Sequence, residues 1–146
     1  MSYDEKLLVG YKWYDRKNIE PLFHFGHGLS YTDFEYSNLQ IINNDKNNFT
    51  CSFNIKNVGG MPGFETSQCY ISFMDSDEDE PIKKLQGFDK TYINSGEIEK
   101  IEIYLDSKSF STWNIKTHQW EIKKGVFNIL IGSSSNDLRL KDSINL

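Results

Sequence analysis

From Phe34 to the C-terminus, apolar and polar residues alternate with a period of two. In "NNFTCSFNIKNVGG", Phe49, Cys51, Phe53 and Ile55 take one face, and Thr50, Ser52, Asn54 and Lys56 take the other. Such a run, closed by Gly59-Gly60, predicts a half-buried β-strand ended by a turn. "ETSQCYISFMD" repeats the pattern with Cys69, Ile71 and Phe73 on one side, which turns Tyr70 to the opposite side. "KLQGFDKTYI" follows, then "NSGE" as a turn, then "IEKIEIYL". In the last of these, Ile98 is out of phase with Ile101, so a bulge or a late strand start is expected. "FSTWN", "HQWEI", "VFNILIG" and "LRLKDSINL" complete the series. About seven or eight short strands punctuated by turns, with no helical stripe of apolar residues, indicate an all-β antiparallel sandwich.

The first thirty or so residues break this rhythm. In "KLLVGYKWY", Leu7, Val9, Tyr11 and Trp13 lie on one face of an extended chain and Leu8, Gly10, Lys12 and Tyr14 on the other. Apolar residues on both faces suit a strand covered on each side. Nothing else in the chain supplies that cover, and an open strand edge recruits partners. The segment is expected to fold back on the sandwich or to pair with a second copy. Next comes "PLFHFGHGLSYTDFEYSNL", in which His24 and His27 flank Phe25-Gly26. Paired histidines ligate metals or move protons, but no Asp, Glu or Cys lies between Pro21 and Tyr31 to complete such a site. Gly26 and Gly28 allow a sharp turn while Phe23, Phe25, Leu29 and Tyr31 pack. The favoured reading is a hinge built from Phe25, Gly26, His27, Gly28, Leu29 and Tyr31.

Composition narrows the function classes. A chain of 146 residues holds one domain with a real core, and 10 Phe, 8 Tyr and 3 Trp exclude a disordered acidic tail. The net charge of −5, with no clustered Lys and Arg, argues against nucleic-acid binding. No run of about 18 apolar residues predicts a membrane span. "MSYDEKLLVGYKWYD" lacks the basic start and apolar block of a signal peptide, which points to the cytoplasm. Cys51 and Cys69 fall on the apolar side of their strands and read as buried free thiols, with an inter-sheet disulfide as the alternative. Neither they nor His24, His27 and His118 have zinc-site spacing.

"DSDEDEP", Asp75 to Pro81, opens like a calcium loop with Asp75, Asp77 and Asp79. It has Glu80 where the turn glycine belongs and Gln86 where a bidentate glutamate belongs, so it reads as a solvated loop. No cofactor or metal is expected. Glycoside cleavage needs two carboxylates about 5 to 9 Å apart across a cleft, and no such pair is evident, so no catalytic residue is assigned. Tyr70, Trp113 and Trp120 are candidates for stacking on an oligosaccharide.

A family resemblance then accounts for the odd N-terminal segment. "VGYKWYDRKNIEPLFHFGHGLSYTDFEYSNLQI" resembles the passage of family-three glycoside hydrolases, the β-glucosidase type, from their α/β-sandwich domain into a C-terminal fibronectin type III-like domain. His24 stands where the family usually has proline. "FNIKNVGGMPGFETSQCYISF" is similar to the family's pattern at Asn57, Gly59, Gly63, Glu65, Gln68 and Tyr70, and "PIKKLQGFDKTYINSGE" and "GVFNILIGSSSNDLRL" continue the likeness. The resemblance implies an immunoglobulin/fibronectin type III-like β-sandwich at 32–146 with an extended N-terminal arm at 1–31. The arm would be the end of a preceding domain plus the hinge. It implies a non-catalytic accessory role beside a barrel that holds the aspartate nucleophile and a middle domain that holds the acid/base glutamate. Partners would be those other domains, or a second copy, met through residues 3–31. A stand-alone carbohydrate-binding module and a subunit completing a truncated hydrolase in trans are the alternatives.

Overall fold

The computed structural model describes residues 6–146, so the Tyr3 end of the expected docking segment lies outside the described residues. The strands are β1 (Phe34–Asp45), β2 (Asn48–Asn57), β3 (Gly63–Phe73), β4 (Lys84–Ile93) and β5 (Ile98–Leu105). They continue with β6 (Ser111–Asn114), β7 (Gln119–Ile122), β8 (Val126–Gly132) and β9 (Leu138–Asn145). One layer has the order β1-β2-β5 and the other β4-β3-β8-β9, while β6 and β7 form a separate hairpin. Each pairing is antiparallel. The predicted all-β sandwich is the architecture found.

The alternation decides which side chains meet between the layers. Cys51, Phe53 and Ile55 from β2 and Ile101, Ile103 and Leu105 from β5 face Cys69 and Ile71 from β3 and Phe127, Ile129 and Ile131 from β8. Removing each large side chain from water contributes about 1.5–3 kcal/mol. Cys51 and Cys69 are fully buried free thiols, as expected. Contact with Cys51, together with burial, pushes the Cys69 thiol well above its usual range.

Two expectations about local structure are corrected. The ladder between β2 and β5 runs without interruption from Phe49↔Leu105 to Lys56↔Ile98, so β5 has neither a bulge nor a late start. Ile98 lies on the outward face with Lys100 and Glu102, and is 58% exposed. Residues 7–14 are also not a strand. Gly10 takes a positive φ of 62°, and the helix α1 (Tyr11–Lys17) begins there, ending at Asn18 in the left-handed conformation. A positive φ at glycine breaks an extended run. A helix of 7 residues is too short to show an apolar stripe, and so it imitated alternation. The segment folds back on the sandwich, but with the other residue inward: Leu8 is 6% exposed, whereas Leu7 and Val9 of the face expected to be covered are 57% and 66% exposed.

Candidate interdomain surface

The outer face of the β4-β3-β8-β9 layer is where the arm lies down. Gln68 and Tyr70 of β3 point away from the core there, since their neighbours Cys69 and Ile71 point into it. Tyr70 therefore leaves the core as expected, but it does not reach solvent. Tyr11 of α1 meets it edge-on at 6.0 Å between ring centroids, and Phe25 stacks on Tyr11 at 4.8 Å. Tyr70 is 0% exposed, so it is withdrawn as a sugar-stacking residue. Burial raises the phenol pKa of both Tyr11 and Tyr70. The Tyr70 hydroxyl donates to Gln68 Oε1 at 2.5 Å, and the Leu85 N–H donates to Tyr11 Oη at 2.8 Å.

Charged groups fasten the helix at its far end. Lys83 Nζ pairs with Asp15 at 2.6 Å, with both side chains largely buried. The Arg16 guanidinium donates to the carbonyls of Glu80 and Asp77. The Glu80 carboxylate in turn accepts from Lys123 at 2.5 Å. The 75–81 loop, expected to be merely solvated, is therefore also the arm's anchor. No group of three or more His, Cys, Asp or Glu placed to hold a metal occurs among the described residues.

The hinge is fixed by backbone and amide contacts. Gln68 Nε2 donates to the Ser133 carbonyl at 2.6 Å and to the Gly26 carbonyl at 3.4 Å. The Ser135 N–H donates to the Phe25 carbonyl at 2.8 Å. Gly26 has a φ of 81°, and a Cβ there would overlap the Gln68 amide. Gly28 is different: it lacks a positive φ and has open space around it, so the hinge needs only one of its two glycines. Neither His24 nor His27 forms an ion pair with a carboxylate among the described residues; Phe23 stacks on His27 at 5.5 Å. Beyond the hinge, Thr32 Oγ1 donates to Asn57 Oδ1 at 2.6 Å in the interior. Asn57 Nδ2 donates to the carbonyls of Met61 and Ile93. A Cβ on Gly59 would strike Thr32.

Asn57, Gly59, Gly63, Gln68 and Tyr70 carry the family resemblance in the sequence, which by itself gives them no task. Their shared task is to hold residues 11–32. Glu65, from the same motif, accepts from the Tyr36 hydroxyl at 2.7 Å, and the Arg139 guanidinium lies 4.8 Å over the Tyr36 ring. Arg16 and Lys83 had no comparable signal in the sequence.

What the arm leaves uncovered is apolar. Leu22 is 91% exposed, Phe23 68%, Leu29 95% and Tyr31 95%. Beside them, an open cavity of ≈ 440 Å³ is lined by Gly26–Ser30, Phe64, Lys90, Ser133 and Arg139, among others. A second one, ≈ 230 Å³, opens between α1 and the hinge and is lined by Tyr11, Tyr14, Pro21, Phe23, His24 and Phe25. Away from the arm, Trp113 and Trp120 are cross-strand partners in the β6–β7 hairpin, roughly half exposed. Their rings meet edge to face at 71° with centroids 5.6 Å apart, so they form a corner and not a flat platform.

Residues 65–135, which span the motif-bearing strand and the serine-rich turn, match the family model of the fibronectin type III-like domain. The sandwich is a fibronectin type III-like domain. Over 149 aligned residues the chain is 43% identical to the thermostable β-glucosidase B of Acetivibrio thermocellus, covering 100% of this chain and 20% of that protein. Among solved structures, the β-D-glucoside glucohydrolase of Trichoderma reesei superposes with a TM-score of 0.94 at 31% identity, covering 99% of this chain and 23% of that one. The family 3 β-glucosidase of Bifidobacterium adolescentis gives 0.94 at 28% identity, covering 99% and 21%. The chain thus spans about a fifth of the length of the curated relatives it matches. It corresponds to their C-terminal, fibronectin type III-like part, and the catalytic domain of those enzymes is not among these 146 residues. No helix among the described residues is long and apolar enough to cross a membrane.

Proposed function

We propose that this fibronectin type III-like chain is a non-catalytic accessory domain of a β-glucosidase-type glycoside hydrolase. Its arm, residues 3–31, docks on the other domains of such an enzyme, with Phe25, Gly26, His27, Gly28, Leu29 and Tyr31 as the hinge. The observation that carries the reading is the exposure of Leu22, Phe23, Leu29 and Tyr31 on a segment whose backbone is pinned through Phe25 and Gly26. A mobile loop could hide such side chains against its own sandwich; a pinned one presents them to a partner. Burying each fully is worth about 1.5–3 kcal/mol. Two unlinked buried thiols favour a reducing cytoplasm.

The test is complementation. A β-glucosidase lacking its fibronectin type III-like part is mixed with, or fused to, this chain, and hydrolysis of an aryl β-glucoside is followed. We expect none from the chain alone and recovery with both parts. Cleavage by the purified chain alone refutes the accessory role, and a stable homodimer through the arm with no recovery on mixing or fusion refutes the hydrolase partner.

A second reading rests on the half-exposed Trp113–Trp120 corner: contact with an oligosaccharide, one indole face stacking on a sugar ring. Titration with β-linked gluco-oligosaccharides should then quench tryptophan fluorescence, and Trp120→Ala should remove the response. A flat titration at millimolar sugar ends that reading.

A further inference from the structure

The arm covers only one half of the outer face of the β4-β3-β8-β9 layer. Antiparallel register puts Phe64 opposite Tyr92, Thr66 opposite Lys90 and Gln68 opposite Phe88. Directly paired residues share a face of a sheet, so Phe64, Tyr92 and Phe88 stand on the side where Gln68 and Tyr70 receive the arm. Yet Phe64 is 58% exposed, Tyr92 49% and Phe88 68%. Phe64 and Tyr92 pack edge to face at 5.1 Å, and Lys90 lies 5.0 Å over the Phe64 ring. Exposed aromatic rings in two rows of one sheet face, on either side of the Thr66–Lys90 row, are not what a solvent-facing strand selects, since such a face alternates towards polar residues.

This half-face is continuous with the arm. Leu29 of the hinge and Phe64 and Lys90 of the sheet line the same ≈ 440 Å³ cavity, and His27, on which Phe23 stacks, lines it too. A fully exposed aromatic side chain presents 150–250 Å². Together Phe23, Leu29, Tyr31, Phe64, Phe88 and Tyr92 present on the order of 800 Å² of side-chain surface. That summed exposure is comparable with the roughly 800 Å² that each partner gives to a standard interface.

We infer that the interface with the rest of the hydrolase extends beyond the arm onto the sandwich, with Phe64, Phe88 and Tyr92 as its sheet-borne anchors. The inference rests on the accessory-domain reading and adds a second, independent contact to it. The occupant is the preceding portion of a β-glucosidase chain. The relatives that match this chain end to end carry about four-fifths of their length elsewhere, and the apolar half-face adjoins the segment through which that portion would be joined. A sandwich held only by a flexible connection would swing, whereas two apolar contacts at an angle, one on the arm and one on the sheet, fix its orientation.

The test is cysteine footprinting in a chimera. The matching portion of the Acetivibrio β-glucosidase B is replaced by this chain, and activity on an aryl β-glucoside confirms assembly. Single Leu29→Cys, Phe88→Cys, Tyr92→Cys and Tyr104→Cys variants are reacted with a maleimide, both in the isolated chain and in the chimera. Tyr104 is the control, 59% exposed on β5 of the other layer, and the native thiols are buried. We expect all four sites to label quickly in the isolated chain, and sites 29, 88 and 92 to slow at least tenfold in the chimera while 104 does not. If 29 slows and 88 and 92 do not, the sheet contact is wrong and the arm-docking reading stands. If none slows, both are wrong. Should the junction not fold, the same cysteines at the aligned positions of the unmodified Acetivibrio enzyme give the same comparison.

Discussion

Replacing Asp15 by alanine tests whether the arm is held by a buried ion pair. Lys83 Nζ lies 2.6 Å from the Asp15 carboxylate, with side-chain exposures of 11% and 17%. At that separation the gross attraction is about 6 kcal/mol with an effective dielectric constant near 20. Most of it offsets the loss of hydration of the two ions, so the pair itself contributes little net stability. Removing one member is a different matter. Asp15→Ala leaves an ammonium group under α1 with no counter-charge, and breaking a buried pair in this way costs about 3–5 kcal/mol. In a domain of this length 1 kcal/mol moves the melting temperature by about 2–4 °C, so a fall of roughly 10 °C is expected. The double variant Asp15→Ala/Lys83→Met removes both charges, keeps the apolar stem, and should return to within about 1 kcal/mol of the native chain. Urea unfolding followed by circular dichroism measures all three proteins. If Asp15→Ala lies within about 0.5 kcal/mol of the native chain, as an ordinary surface substitution would, or if the double variant is as weak as the single one, the argument fails.

The two hinge glycines should respond unequally. Gly26→Ala forces a Cβ into the Gln68 amide at a φ of 81° and should cost about 1–3 kcal/mol, whereas Gly28→Ala, with open space, should change the urea midpoint little. Raised and buried, the Cys69 thiol stays protonated at pH 8, so alkylation of Cys51 and Cys69 should keep pace with global unfolding; fast labelling of the native chain would contradict the described packing. The Arg139 guanidinium beside Asp137, which donates to its carboxylate, holds that group below the usual range. A depressed folded-state pKa adds stability above the unfolded value of about 3.9, and that stability is lost as pH falls through the folded value. Asp137→Asn should therefore be weaker than the native chain at pH 7, with the gap closing below about pH 4; a gap that widens in acid would reverse the assigned sign.

The sandwich was legible because its core strands obey one rule. Phe49 to Ile55 and Cys69 to Phe73 show the alternation of a layer with one buried face, and the structure buries the residues so marked, Phe73 only in part. Two kinds of feature escaped that rule. α1 is held by tertiary partners, Tyr11 by the Leu85 amide and Asp15 by Lys83, and such long-range pairs leave no periodic trace in 7 residues. Alternation turns Tyr70 away from the core, as the structure does, but it reports only which face a side chain takes and not what covers that face. Trp113 and Trp120 read in sequence as two aromatic residues of separate short strands; their edge-to-face angle depends on hairpin register, which the sequence does not display. The motif that carried the resemblance was visible residue by residue, and its purpose became plain only with the arm seated on it.

That seating determines where the protein can be cut. Asn57, Gly59, Gln68 and Tyr70 belong to the sandwich by position but close on residues 11–32 by contact. A recombinant piece beginning at Phe34 would keep every strand, yet it would strip the roof from Tyr70 and leave the Asn57 side-chain oxygen without its Thr32 donor. Anyone grafting this domain onto another enzyme must carry the stretch from Leu8 with it, because the unit that can be transplanted is longer than the unit that draws as a sandwich.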